Sequence, residues 1–304
     1  MRDKRVVVSG DIHPEALRYL KGHLVAVEEV SSLREAALKD VHGVILRMEA
    51  FDRALMDTAP LLEVIARHGS GLDLIDTGAA KDRDITVLNA PEASRVSVAE
   101  HAIALMLALA KGLRRSSERV LEGSFSLDGI HLVELDGKAL GIVGFGQIGS
   151  EVARRAQALG MPVSAYLRPG SRKDLGPLGV SRSPSLEDLF SSSDFISLHV
   201  PLTAETKGMV TGDLLSLMKN TAFLINTSRG EVLDQEALVQ ALRKGVLAGA
   251  ALDVFAREPP PLDDPLLNLE NVILTPHSAA LTEEAQKRTS FAVAHGVLKA
   301  LGAL

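Results

Sequence analysis

Three polar residues stand just after short apolar runs late in the chain, and their types complement one another. Arg229 lies in Asn226-Thr227-Ser228-Arg229-Gly230, after Phe223-Leu224-Ile225. Glu258 follows Leu252-Asp253-Val254-Phe255, and His277 sits in Thr275-Pro276-His277-Ser278 after Val272-Ile273-Leu274. Such runs read as buried parallel strands, so the three side chains fall at carboxyl ends of strands, where open α/β sheets bind ligands. An arginine there grips a carboxylate through two parallel hydrogen bonds and polarises a neighbouring carbonyl. A histidine passes protons near neutral pH, and a carboxylate beside it orients the ring and stabilises its charged form. Singly, Arg229 could cap a helix, Glu258 could be solvated and His277 could be a core histidine. Together they suit the interconversion of a hydroxyl and a carbonyl beside a carboxylate, with the hydride carried by a second molecule.

A carrier has its own signal. Gly144-Phe145-Gly146-Gln147-Ile148-Gly149 comes directly after the apolar run Ala139–Val143 and before a helical pattern. The first glycine permits a tight turn, the second lets backbone approach a pyrophosphate, and the third lets helix and strand pack closely. The helix N-terminus then offers unpaired N–H groups to the phosphates. In this strand–turn–helix setting the motif reads as a dinucleotide site. At the end of the next strand, Val163–Tyr166, an NAD-binding fold carries an acid for the ribose hydroxyls. Here Leu167 is followed by Arg168, Arg172 and Lys173, and no acid precedes Asp174. The expectation is that NADP(H) is favoured over NAD(H), the alternative being a basic surface loop.

Two strand–helix series must position these groups. The first runs through Val6–Val8, Val25–Val27, Val44–Leu46, Val64–Ala66 and Thr86–Leu88, with helical patterns at Pro14–Gly22 and Ser31–Lys39. A long helix is expected over Ser97–Arg115. The second series has six strands, beginning at Ala139, Val163, Phe195, Phe223, Gly249 and Val272, with Ser183 as a helix N-cap before Pro184. A final helix is expected over Thr282–Leu301. The fold class is therefore α/β, with two doubly wound parallel-sheet domains. Residues 1–97 plus 283–304 are expected to form one, and 98–282 the dinucleotide-binding Rossmann domain.

Composition narrows the function classes. The 304 residues are 46% hydrophobic with a formal net charge of −6, which disfavours a nucleic-acid partner. With no cysteine there is no thiol nucleophile, disulfide or Cys-ligated zinc, and no metal site is expected. The longest apolar stretch, Ala102–Ala110, is far short of the roughly 20 residues of a membrane span. The apolar run near the start is too short for a signal peptide, so the expected location is cytoplasmic.

At these motifs, together with His199-Val200-Pro201-Leu202-Thr203, Val98-Ala99-Glu100-His101 and Gly69-Ser70-Gly71-Leu72-Asp73, the sequence resembles the D-2-hydroxyacid dehydrogenase family. That family includes 3-phosphoglycerate dehydrogenases and glyoxylate/hydroxypyruvate reductases. The resemblance implies a flavodoxin-like substrate domain beside the cofactor domain. It implies that Arg229 holds the substrate carboxylate and carbonyl, and that His277 is the acid/base, paired with Glu258. The backbone of Ser70 and Gly71 would bind the substrate carboxylate, with Arg47 nearby; Arg47 and Arg67 could accept a phosphate. Cofactor contacts would come from Gly144, Gly146, Gln147, Ile148, Gly149, Leu167, Arg168, Arg172, Val200, Pro201, Thr206 and Thr227. Asp253 would touch the nicotinamide carboxamide. A homodimer through the cofactor domain would be typical. A non-enzymatic, NAD(H)-sensing protein of the corepressor type shares these motifs and is the alternative reading.

Overall fold

The computed structural model describes residues 4–24 and 26–304. The chain divides into two compact units, Met1–Arg95 with Ala280–Leu304, and Val96–Ala279.

The first unit is built on β1 (Arg5–Ser9), β2 (Ala26–Val30), β3 (Gly43–Leu46), β4 (Val64–Arg67) and β5 (Thr86–Leu88). All pairings are parallel, in the order β2-β1-β3-β4-β5. That is the flavodoxin-like order. Of the weak strand read at Val25–Val27, Val25 lies outside the described residues. Alternate side chains face opposite ways along a strand. Val6, Val8, Ile45 and Ala66 accordingly pack with Leu20 and with Val293 and Val297, which come from helices Pro14–His23 and Glu283–Ala300. Val7, Val44, Leu46 and Ile65 pack with Leu33, Phe51 and Met56 on the other side.

The helix expected over Ser31–Lys39 does not form. Glu49 takes the N–H of Leu33 at 2.7 Å and the hydroxyl of Ser32 at 2.8 Å, while Leu33 and Leu38 are buried. Backbone donors tied to a distant carboxylate hold this segment in turns instead.

The second unit carries β6 (Leu140–Val143), β7 (Val163–Tyr166), β8 (Ser181–Arg182), β9 (Phe195–Leu198), β10 (Phe223–Asn226), β11 (Gly249–Leu252) and β12 (Val272–Leu274). They form one parallel sheet, β12-β11-β10-β9-β6-β7-β8. The order reverses at β6, the switch point at which doubly wound folds open a crevice. Edge strand β8 was not expected, since its two residues are exposed and carry no apolar signal. The nearby cap is Ser185, not Ser183. The Ser185 hydroxyl accepts from the N–H of Asp188 at 3.0 Å and starts helix Leu186–Ser192, with two acids in its first turn.

The helix expected as one piece over Ser97–Arg115 is two, Arg95–Ala110 and Leu113–Leu121, meeting at 57°. Gly112 breaks it with φ +53°, and a Cβ there would lie 2.5 Å from Ile130 Cγ2. Among the described residues no single helix is long and apolar enough to cross a membrane.

Candidate active site

The loop after β10 is shaped from within. The Asn226 carboxamide donates to the carbonyl of Arg229 at 2.9 Å and accepts from the N–H and hydroxyl of Ser228 at 3.0 and 2.8 Å. These bonds fold residues 226–229 into a compact turn. Gly230 then lets the loop after β11 cross over it: a Cβ there would lie 1.9 Å from the carbonyl carbon of Phe255. The Asn and Gly of the motif thus bring two strand-end loops together, with partly buried Arg229 between them.

Glu258 and His277 meet across the next two loops. His277 Nδ1–H donates to Glu258 Oε2 at 2.7 Å, and Glu258 Oε1 accepts from the N–H of Phe255 at 3.1 Å. Both side chains keep about a third of their surface in solvent, 35% for His277 and 31% for Glu258. Partial burial works against the charge of Glu258. The hydrogen bonds from His277 and Phe255 outweigh it, with help from the positive charges of His277 and Arg229, and hold its pKa below the ordinary value. Arg229 is therefore near enough to act on this pair. With Nδ1 committed to a carboxylate, the imidazole presents Nε2 for exchange.

His277 itself sits at φ +50°, an unusual conformation for a residue with a side chain. Asp253 supports it from beneath. The Asp253 carbonyl accepts from His277 N–H at 2.8 Å, and its carboxylate accepts from Ser278 N–H at 2.8 Å and Ala279 N–H at 3.0 Å. Thr275 Oγ1 donates to the same carboxylate at 2.6 Å. Asp253, expected at the nicotinamide carboxamide, is wholly buried, and its carboxylate is turned into the loop that carries His277.

The glycine turn fits a dinucleotide in three ways. Gly144 has φ +89°, and a Cβ there would lie 2.6 Å from the carbonyl oxygen of His199. Gly146 has open space where a Cβ would stand, and it precedes helix Gln147–Ala158, whose start has no side-chain cap. A Cβ on Gly149 would lie 2.4 Å from the Gly144 carbonyl. Gln147 is exposed and Ile148 packs on the core beneath. Two polar atoms on adjacent strand ends, His199 Nδ1 and Thr227 Oγ1, are buried and unpaired. Val200 lies over Gly144, and the Thr206 hydroxyl donates to the carbonyl of Pro201 at 2.5 Å, closing that loop.

After β7, Leu167 packs against the core, while Arg168 and Arg172 are exposed. Lys173 donates to the carbonyl of Phe145 at 2.7 Å, which fastens this basic loop to the glycine turn.

In the first unit, Arg47 follows β3 and Ser70-Gly71 follows β4, on paired strands. Asn89 donates to the carbonyl of Ser70 at 2.7 Å, and Arg47 donates to the carbonyl of Asp11 at 3.4 Å. Sequence reasoning gave no role to Asn226, Gly230, Thr275 or His101. All four stand inside the motifs quoted above or, for His101, in Val98–His101; the spacing carried the signal but not the contacts.

Residues 103–279 match the family model for the NAD binding domain of D-isomer specific 2-hydroxyacid dehydrogenases. The chain belongs to that family. It is 38% identical over 302 residues to a D-3-phosphoglycerate dehydrogenase of Methanocaldococcus jannaschii, covering 98% of this chain but 57% of that protein. The chain thus spans little more than half the length of this relative. Its fold matches an NADPH-dependent glyoxylate/hydroxypyruvate reductase of Sinorhizobium meliloti, solved with NADP and malonate, at TM-score 0.86 and 31% identity over 97% of this chain and 92% of that one. It also matches a D-lactate dehydrogenase of Aquifex aeolicus, solved with NAD and lactic acid, at TM-score 0.85 and 34% identity over 98% and 96%.

Proposed function

We propose that the chain is an NAD(P)-dependent oxidoreductase interconverting a small 2-hydroxy acid and its 2-keto acid, with NADP(H) favoured. The observation that carries this is the 2.7 Å bond between His277 and Glu258, with the charge of Arg229 beside it. In this reading Arg229 holds the substrate carboxylate and polarises its carbonyl. His277 Nε2 gives a proton to the carbonyl oxygen during reduction and takes it back during oxidation, while Glu258 holds Nδ1 and offsets the imidazolium charge. The nicotinamide, when bound, supplies or accepts the hydride. The glycine turn, Val200, Pro201, Thr206 and Thr227 would hold the dinucleotide, and Arg168 and Arg172 would favour a 2′-phosphate.

In the first unit, the backbone of Ser70 and Gly71 together with Arg47 is proposed to take the substrate carboxylate. Arg47 or Arg67 would add recognition of a phosphorylated substrate. The names of the relatives support both classes, and they favour catalysis over a corepressor-type sensor. The test is turnover of glyoxylate, hydroxypyruvate, 3-phosphohydroxypyruvate and 2-ketoisocaproate with NADH and NADPH. No turnover of any pair would reject the enzymatic reading.

A homodimer through the second unit is also proposed. Leu113, Val120, Leu121, Phe125, Leu127 and Leu132 are exposed along one segment, with Phe125 90% and Leu121 84% accessible. Exposed apolar patches of this kind mark interaction surfaces. Light scattering that gives a monomer mass would reject the dimer.

A further inference from the structure

We propose that His101 is a positioning residue, which acts through Thr275 and Asp253 to fix the backbone on which His277 stands. The inference rests on reading His277 as the proton carrier. Its starting point is the φ of +50° at His277. A residue with a Cβ persists there only when its surroundings over-determine it. Here the surroundings are one aspartate. Asp253 receives the N–H of His277 on its carbonyl and those of Ser278 and Ala279 on its carboxylate. Three successive backbone donors are thereby aimed at one side chain and its own carbonyl.

That arrangement needs the carboxylate to be ionised although its side chain is only 1% exposed. Burying a charge is costly unless it is paired and hydrogen-bonded. Among the groups that hydrogen-bond this network is His101, on helix Arg95–Ala110. Thr275 spends its hydroxyl proton on Asp253 Oδ1 at 2.6 Å, so its lone pairs are left to accept from His101 Nε2–H at 3.0 Å. The same nitrogen is 3.4 Å from Asp253 Oδ1. The order of donation is thus His101 to Thr275 to Asp253, and the tautomer of His101 must carry its proton on Nε2. Burial acts to raise the pKa of Asp253, but the bonds from His101, Thr275, Ala279 and Ser278 prevail and hold it below the ordinary value. His101 does not face the reacting atoms in this scheme. It fixes where the imidazole of His277 points.

The experiment compares His101→Phe, Thr275→Val and His101→Gln with wild type. It measures kcat with the best 2-keto acid, NADPH affinity by fluorescence, and the NMR resonance of the His277 Nδ1 proton that bonds Glu258. A misplacement of about 1 Å costs up to about 100-fold in rate. His101→Phe and Thr275→Val are expected to lower kcat by about 10- to 100-fold, to leave NADPH affinity unchanged and to broaden or abolish the resonance. His101→Gln, whose carboxamide nitrogen can replace Nε2–H, is expected to restore both kcat and resonance. Unchanged kcat and resonance in both disruptive variants would overturn the proposal. So would a glutamine variant no better than phenylalanine, or NADPH affinity falling in step with kcat. Wild type without turnover would reject the enzymatic reading, and the resonance would still decide the role of His101.

Discussion

At the end of β4, His68 is buried with its Nε2 2.8 Å from the hydroxyl of Ser290, and its neighbours are the cations Arg47 and Arg67. At the ends of β11 and β12, the corresponding supports are the carboxylates Asp253 and Glu258. Burial first, then the charges of Arg47 and Arg67, push the pKa of His68 down to about 4. As a neutral group it therefore ties the end of β4 to helix Glu283–Ala300, with the cations Arg47 and Arg67 near it. The second rim uses ionised carboxylates to clamp backbone and to orient an imidazole. Cations near backbone N–H groups suit holding an anion, whereas a fixed carboxylate–imidazole pair suits moving a proton. Each variant below tests that division.

The largest effect is expected at the rim proposed to move a proton. His277→Ala should lower kcat by roughly 10²–10⁴-fold while cofactor binding persists. Arg229→Ala should also raise KM, because a bidentate carboxylate contact is lost. Steady-state kinetics with cofactor titration measure both. Comparable kcat losses from Arg47→Ala would erase the distinction between the two rims.

The second effect concerns pH at the rim proposed to hold an anion. The unfolded chain takes up a proton at His68 near pH 6.5, whereas the folded chain resists until about 4. Stability should therefore fall as pH drops through that window, by roughly 3 kcal/mol at its lower end. His199 in the second unit, also lowered to about 4 by burial, adds a similar slope. The informative quantity is hence the difference between wild type and His68→Gln in unfolding midpoint. Wild type should lose its advantage progressively below pH 6.5. Parallel curves for the two proteins would show that His68 does not resist protonation.

The elements that sequence made legible are those whose side chains are decided locally. The central strands of both sheets read as uninterrupted apolar runs because both faces are covered. Arg229, Glu258 and His277 stood out because each follows such a run closely, so a strand assignment alone put them on one rim. The misses depend on distant partners. Helix formation at Ser31–Lys39 is overridden by Glu49, and the expected long helix is broken where Gly112 meets Ile130. Edge strand β8 has no apolar pattern to detect. His101 and Asp253 are far apart in sequence, and only packing of helix Arg95–Ala110 on the strand ends makes them one network.

A third loop tests whether a field without fixed geometry is enough for selection. Arg168 and Arg172 are exposed beyond β7, with neither held in an ion pair among the described residues. A charge-assisted bond is worth roughly 1.5–3 kcal/mol, so one arginine–phosphate contact should give about tenfold preference for NADPH. Leu167→Asp adds an acceptor for the ribose hydroxyls and repels a 2′-phosphate, and Arg168→Ala removes a cation. Both should move the ratio of kcat/KM values toward NADH. A wild-type protein already favouring NADH severalfold would show that the loop does not read the phosphate.

The smallest effect is expected from Glu258, the hydrogen-bond partner of His277. The pKa of Glu258 is depressed in the folded chain although burial opposes its charge, because His277, the N–H of Phe255 and Arg229 favour the carboxylate. A depressed carboxylate contributes stability that is present above its unfolded value and is lost as pH falls through the folded value. Wild type should thus be more stable than Glu258→Gln at neutral pH, and the two should converge below the ordinary glutamate range. The gap should be smaller than that at His68, since 31% of the Glu258 side chain remains in water and solvent screens the pair. The two differences should also run in separate windows, His68 between about 6.5 and 4 and Glu258 at the acid end. Unfolding midpoints measured at half-unit steps of pH resolve them. A Glu258→Gln difference that is constant down to strong acid would mean that the side chain contributes packing alone. Asp253 would then be left as the ionised carboxylate that braces the second rim.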